Sequence, residues 1–265
     1  IDTQTILTQR EDLLSTPFSG NTTNTTFNST AGALQLTNPV NNATGEYQFA
    51  SIVDLGAVFS LELKRKLQVV GFNIGDDIEA LIPGPPGIEW DDYATDNNFD
   101  GGAADETSCQ IQVATSQTAS GSFSAFNNFA NGTFKGRRFK FKLILTTTNT
   151  AQNINVQQAG FIAQFQSRTE QNYQTGSGTS TASQSSGTSA KTVTFGTPFF
   201  VGTSSLGGAN AFLPTVGITI ENAQSGDFFT ITSVSGTGFT VSIKNGSSFV
   251  DRNFTFQAVG YGKGV

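Results

Sequence analysis

The sequence predicts an all-β protein, made of two antiparallel, jelly-roll-like β-sandwich domains joined by a Ser/Thr/Gly/Gln-rich connector. Three observations predict it. Apolar residues recur at every second position in short runs, the spacing of a strand with one buried face. Gly, Asn, Ser and Thr interrupt those runs, and in the last third of the chain turn signals return roughly every 8–12 residues. Charged residues are only 13% of the chain, so the Glu/Lys-rich faces of long helices are missing. The 265 residues, 24 of them Phe, suffice for two domains with a buried core.

Residues 1–20 read as an extended or short helical lead-in. The first sandwich is expected over 21–168. Leu34 and Leu36 give a short strand signal. Tyr47, Phe49, Ser51 and Val53 share one face, and Asp54 to Gly56 closes that run. Phe59, Leu61 and Leu63 repeat the period, and Leu67 to Phe72 follows. The stretch from Asn73 to Glu106, with Pro83, Pro85, Pro86 and the lone Trp90, is a loop long enough to demand a function or special packing. Ile111 and Val113 resume the strands. The clearest strand is Arg138 to Leu145, with Phe139, Phe141, Leu143 and Leu145 on one face and Arg138, Lys140 and Lys142 on the other. Phe161 to Phe165 closes the first domain.

Residues 169–190 hold one large apolar side chain, Tyr173, and bury too little surface to offset their ordering entropy. They read as a linker dividing the chain. Residues 191–265 form the distal unit. Val193 and Phe195 alternate, as do Val216, Ile218 and Ile220, then Phe229, Ile231 and Ser233. Gly236 to Phe239 turns the chain into Val241 and Ile243, and Asn245–Gly246 turns it towards Phe254, Phe256 and Ala258. A unit of about 75 residues is small for independent stability, which favours a homotrimer around a common axis.

Net charge is −6, which disfavours nucleic acid, and no apolar run is long enough for a membrane-spanning helix. Ten of the 20 acidic residues lie between Asp76 and Glu106, whereas Lys135, Arg137, Arg138, Lys140 and Lys142 crowd into eight positions. These two groups are expected to neutralise each other across the fold. Cys109 is the only cysteine, so no intramolecular disulfide forms, and it reads as a buried filler. A chain that opens on Ile1 and contains no Met reads as a processed product or a piece of a longer polypeptide.

Without His, a Ser-His-Asp or Cys-His arrangement and a His-based zinc site are excluded, and no catalytic residue is assigned. Asp91, Asp92, Asp96, Asp100, Asp105 and Glu106 are the acids from which a carboxylate pair for polysaccharide cleavage would come. Clustered acids in a Gly/Asn loop more often serve solvation or metal binding. Asp96, Asn98 and Asp100 alternate ahead of Gly101 like the opening of a calcium loop, but Thr107 stands where a bidentate Glu is required. An Asx-rich turn beside Trp90 is the leading reading, so no cofactor is expected, with Ca2+ as the alternative. Trp90 and Tyr93 suit a sugar-stacking platform or a core position; Phe228, Phe249 and Tyr261 are the corresponding aromatics of the distal unit. The N-x-S/T triplets at Asn21, Asn24, Asn28, Asn42, Asn131, Asn245 and Asn253 follow from a composition rich in Asn and Thr. The closing run Gly260 to Val265 has no following helix and so is no phosphate loop.

Two blocks carry a family resemblance. "YQFASIVDLGAVFSLEL", "WDDYATDNNFDGG" and "FNNFANGTFKGRRFKFKLIL" form the first, and the segment from "LPTVGITIENAQ" to "FTFQAVGYGKGV" forms the second. Together they resemble the carboxy-terminal region of tailed-phage host-specificity proteins, the receptor-binding proteins of the central tail tip. The second block also resembles H-type lectin-like domains. The resemblance implies a homotrimer on the tail axis of the virion, outside the cell, in contact with other tail-tip proteins. It also implies a host cell-surface glycan or outer-membrane protein as receptor, with no membrane insertion and no enzymatic activity. A structural fibre component that trimerises or caps the tip is the alternative.

Overall fold

The computed structural model describes residues 4–74, 104–172 and 184–263. Among them there is no helix, and every pairing between strands is antiparallel. In chain order the strands are β1 (Gln4–Arg10), β2 (Asn21–Thr23), β3 (Thr25–Asn28), β4 (Ala33–Leu36), β5 (Thr44–Gln48), β6 (Val53–Asn73), β7 (Thr107–Ser116), β8 (Asn127–Asn128) and β9 (Gly132–Thr147). Then follow β10 (Gln152–Asn172), β11 (Gln184–Ser185), β12 (Lys191–Thr194), β13 (Thr215–Ile220), β14 (Asp227–Val234), β15 (Gly238–Asn245), β16 (Ser248–Phe249) and β17 (Asn253–Tyr261).

Alternation along β9 is as strict as the sequence suggests. Phe139, Phe141, Leu143 and Leu145 are each no more than 1% exposed. They meet Phe59, Leu61 and Leu63 of β6 and Phe161, Ala163 and Phe165 of β10 in one core, where Phe141 and Phe161 stack with centroids 4.5 Å apart. Each such Phe contributes about 1.5–3 kcal/mol by leaving water. On the outer face of β9, Lys142 pairs with Glu46 at 2.7 Å and Arg137 with Asp54 at 2.9 Å. Arg138 and Lys140 lie over the Phe123 ring, at 4.6 and 5.1 Å from its centroid. Four of the five cations of this strand therefore use local acids and aromatic faces; most of the acidic loop expected to neutralise them (75–103) lies outside the described residues.

Of the two forms read for the lead-in the extended one is seen: β1 adds to the sheet by pairing Gln4–Arg10 against Gly160–Gln166 of β10. Two elements differ from expectation. Asp54–Gly56 does not end a strand. Gly56 takes φ +82°, the register slips between Asp54 and Phe59, and β6 continues through this bulge for 21 residues. Finally, β10 does not stop at Phe165 but also runs 21 residues, and Ser167–Asn172 pair with β17. The segment read as a linker thus begins as strand (169–172) and ends beside β11; its middle (173–183) lies outside the described residues.

A buried acid stitches the loop after β1 to β5. Glu11 has no exposed surface, and its Oε2 accepts from the Tyr47 hydroxyl at 2.5 Å and the Ala50 amide at 2.9 Å. Burial pushes the Glu11 carboxyl above its usual range despite those donors, and burial together with Glu11 pushes the Tyr47 phenol upward.

A second core lies between β13–β17 on one side and β12–β15–β14 on the other, built from Val193, Phe195, Val241, Ile243, Phe254 and Phe256. The two cores share chain. Phe200 and Leu206, which follow β12, are buried in the first core, where Phe200 stacks on Phe165 at 3.9 Å with planes 4° apart. The Ser205 hydroxyl from the same segment accepts from the Asp54 amide at 3.1 Å and donates to the Asp54 carbonyl at 3.4 Å, docking it on the bulge of β6.

Candidate functional site

The outer face of the smaller sheet presents two exposed aromatics around a cation. Hydrogen-bond register sets Phe228 of β14 opposite Lys244 of β15, and Lys244 opposite Phe249 of β16. Side chains opposite one another on adjacent strands share a face, so the three form a row. Phe228 is 45% and Phe249 37% exposed, and the Lys244 ammonium lies 4.7 Å from the Phe249 centroid. That contact supplies about 0.5–1 kcal/mol at an exposed site and leaves most of the ring face open.

Local chemistry makes the row stiff. Asn245 and Ser248 close a two-residue turn in which Gly246 adopts φ +57°, and this fixes Phe249 against Lys244. At the other end the Asp227 carboxylate accepts from Arg252 Nε at 2.7 Å, the Gln224 amide at 2.8 Å and Asn245 Nδ2 at 2.9 Å. The Arg252 guanidinium foremost, then those amides, hold the Asp227 carboxyl down at about 2. Three segments are thereby clamped around the ends of β14 and β15.

Phe228 and Phe249 are thus brought together, as neighbours in one row. Tyr261 is not exposed alongside them. It is half-buried, edge-on to Phe212 at 6.2 Å, against the first core, because β17 ends where the two cores meet. Trp90 and Tyr93, like Asp96, Asn98 and Asp100, lie outside the described residues, as do Asp91 and Asp92. Glu106 is described, and its carboxylate accepts from Asn149 Nδ2 at 2.7 Å. Among the described residues no group of three or more His, Cys, Asp or Glu is placed to hold a metal ion. Cys109 is partly buried, and desolvation pushes its thiol up to about 12, far from a reactive thiolate at neutral pH. Lys244 escaped sequence reasoning, although the Asn245–Gly246 turn signal carries the register that places it beside Phe249.

The row offers apolar ring faces plus one hydrogen-bond-donating cation. Comparisons with protein-family models, curated proteins and solved structures found no match to the chain.

Proposed function

We propose that this chain is an attachment protein of a tailed-phage tail tip, non-enzymatic and homotrimeric, that engages a glycan or outer-membrane protein on the host surface. The single observation carrying the reading is the row Phe228–Lys244–Phe249: exposed aromatics held rigid on an outer sheet face, where recognition loses little side-chain entropy. Two jelly-roll-like sandwich modules, one around each core, are the architecture read with it. Weak sites repeated in a trimer gain through effective concentration.

The alternative, a structural component that assembles or caps the tip, also has an observation in its favour. β13 and β14 are the edge strands of the two sheets facing across the second core. Val216, Ile218, Ile220 and Ile231 along them are only partly covered, and Phe229 is 41% exposed. Copies meeting along these edges would bury them. The two readings are compatible in one trimer, and cell binding separates them.

Fluorescently labelled chain is titrated onto a panel of bacterial cells, beside the Phe228→Ala/Phe249→Ala variant. Saturable binding to some strain, weakened about 10-fold or more in the variant at unchanged circular dichroism, is the expected result. Equal binding by the variant would remove the row from recognition. Binding to no strain, with a stable trimer in solution, would favour the structural alternative.

A further inference from the structure

A second site lies on a different sheet. β17 is flanked by β13 on one edge and, along the same residues, by β10 on the other; Gly217 and Gln171 both stand opposite Gln257, and Thr219 stands opposite Thr255. Phe254, Phe256 and Ala258 face the second core, so alternation turns Thr255 and Gln257, with Gly217, Thr219 and Gln171, to the outside. They line a shallow, open depression of about 310 Å3, at the lower end of the roughly 300–1,000 Å3 range of small-molecule sites.

Glycine inside a strand weakens it, and usually marks a bulge, a bend or the close approach of another group. Gly217 fits neither of the first two: the β13–β17 register runs unbroken from Thr215 to Ile220. Nor does the fold crowd it. Among the described residues a Cβ at Gly217 would meet only the Gln257 carbonyl oxygen, at 3.9 Å, whereas at Gly238 or Gly160 one would strike backbone at 2.2 or 2.1 Å. The missing side chain therefore leaves the outer face of the sheet open at this point.

The walls define what fits. Among the described residues that line it none is ionisable. The side chains of Gln171, Thr219, Thr255 and Gln257 make no hydrogen bond among the described residues, so two amides and two hydroxyls are free to donate and accept. Such a surface has no charge for an anion or a cation and too much polarity for a lipid chain. It complements a compact molecule dense in hydroxyl groups.

We infer that the Gly217 cleft is a binding site for a neutral saccharide, of a size to seat a single pyranose ring above the glycine. The inference deepens the attachment reading by naming a ligand class, yet its test needs no host cell. Full-length, isotope-labelled protein is titrated with neutral sugars (glucose, galactose, mannose and N-acetylglucosamine) and with glucuronate. At least one neutral sugar is expected to shift the amides of Thr219, Thr255 and Gln257, with a dissociation constant on the order of 1 mM. Gly217→Val places a branched side chain on the floor without backbone strain, and should abolish those shifts while leaving thermal stability unchanged or raised. Gln171→Ala/Gln257→Ala, which leaves the floor open, should weaken binding about 10-fold. Absence of shifts with every neutral sugar, tighter binding of glucuronate, or unchanged binding by Gly217→Val would each overturn the proposal. So would a change in oligomeric state on Gly217→Val, which would assign the cleft to a second copy of the chain. Sugar binding lost in Gly217→Val but kept in Phe228→Ala/Phe249→Ala separates this site from the aromatic row.

Discussion

Replacing Phe200 with Ala tests whether the two cores behave as one body. Phe200 has no exposed surface; its ring stacks on Phe165 and also touches Phe59 at 5.9 Å and Phe212 at 6.2 Å. Removing a buried Phe costs about 3–5 kcal/mol, lost transfer energy plus the cavity left behind. The upper part of that range applies, because three aromatic neighbours lose a partner and Phe165 is itself fully buried on rigid β10. For a chain of this length, each kcal/mol lowers the melting midpoint by about 2–4 °C, so the midpoint should fall by roughly 8–20 °C. The informative assay is native-state hydrogen exchange followed at Phe141 and Leu143 in the first core and at Val241 and Ile243 in the second. Phe200 lies between β12 and β13 of the second core while filling the first, and β10 hydrogen-bonds into both. Protection should therefore drop in both groups together. If it falls only at Phe141 and Leu143, or if calorimetry shows two transitions of which one is unmoved, the cores unfold independently and the reasoning fails.

Two further predictions concern acids shifted in opposite directions. Glu11 has a raised folded-state pKa, so the folded chain holds that proton more tightly than the unfolded one. Its contribution is greatest below the ordinary value of 4.5 and declines as pH rises through the folded-state pKa. Subtracting the melting profile of Glu11→Gln from that of the wild type should isolate a component that falls with rising pH; a flat difference would contradict the burial mechanism. Asp227, held at about 2 chiefly by Arg252, stabilises the fold above its ordinary 3.8, and this is lost as pH falls towards 2. Asp227→Asn should remove that acid-side loss and increase exchange at the Phe228 and Lys244 amides, which unaltered exchange would refute.

The alternation of β9 was legible because one face is buried along its whole core-facing length, and four large apolar residues in register leave no competing periodicity. The continuity of β6 was not, although Phe59 to Leu63 and Leu67 to Phe72 read as separate runs. From Lys64 onward both faces are open to a large degree, so Lys64, Arg65 and Lys66 follow one another without a polar–apolar rhythm. Gly56 misled in another way: a glycine at positive φ looks the same in sequence whether it ends a strand or bulges one. Which core a given Phe joins has no local signature, and Phe200 shows this, since its stacking partner Phe165 belongs to a strand far earlier in the sequence. At the site, the exposed aromatics were readable as residue types, and their common row required the register. The cleft rests on a residue with no side chain, and becomes visible only when the space above Gly217 is measured.

The shared strand has a mechanical consequence. Because β10 passes covalently from one core into the other while neighbours grip it along its length, a pull on the distal sheets loads these hydrogen bonds lengthwise, many at once. Antiparallel ladders loaded in that direction resist far more than ones peeled open a rung at a time. Tension applied to the distal sheets would reach the body of the molecule through the hydrogen bonds that β17 shares with β10.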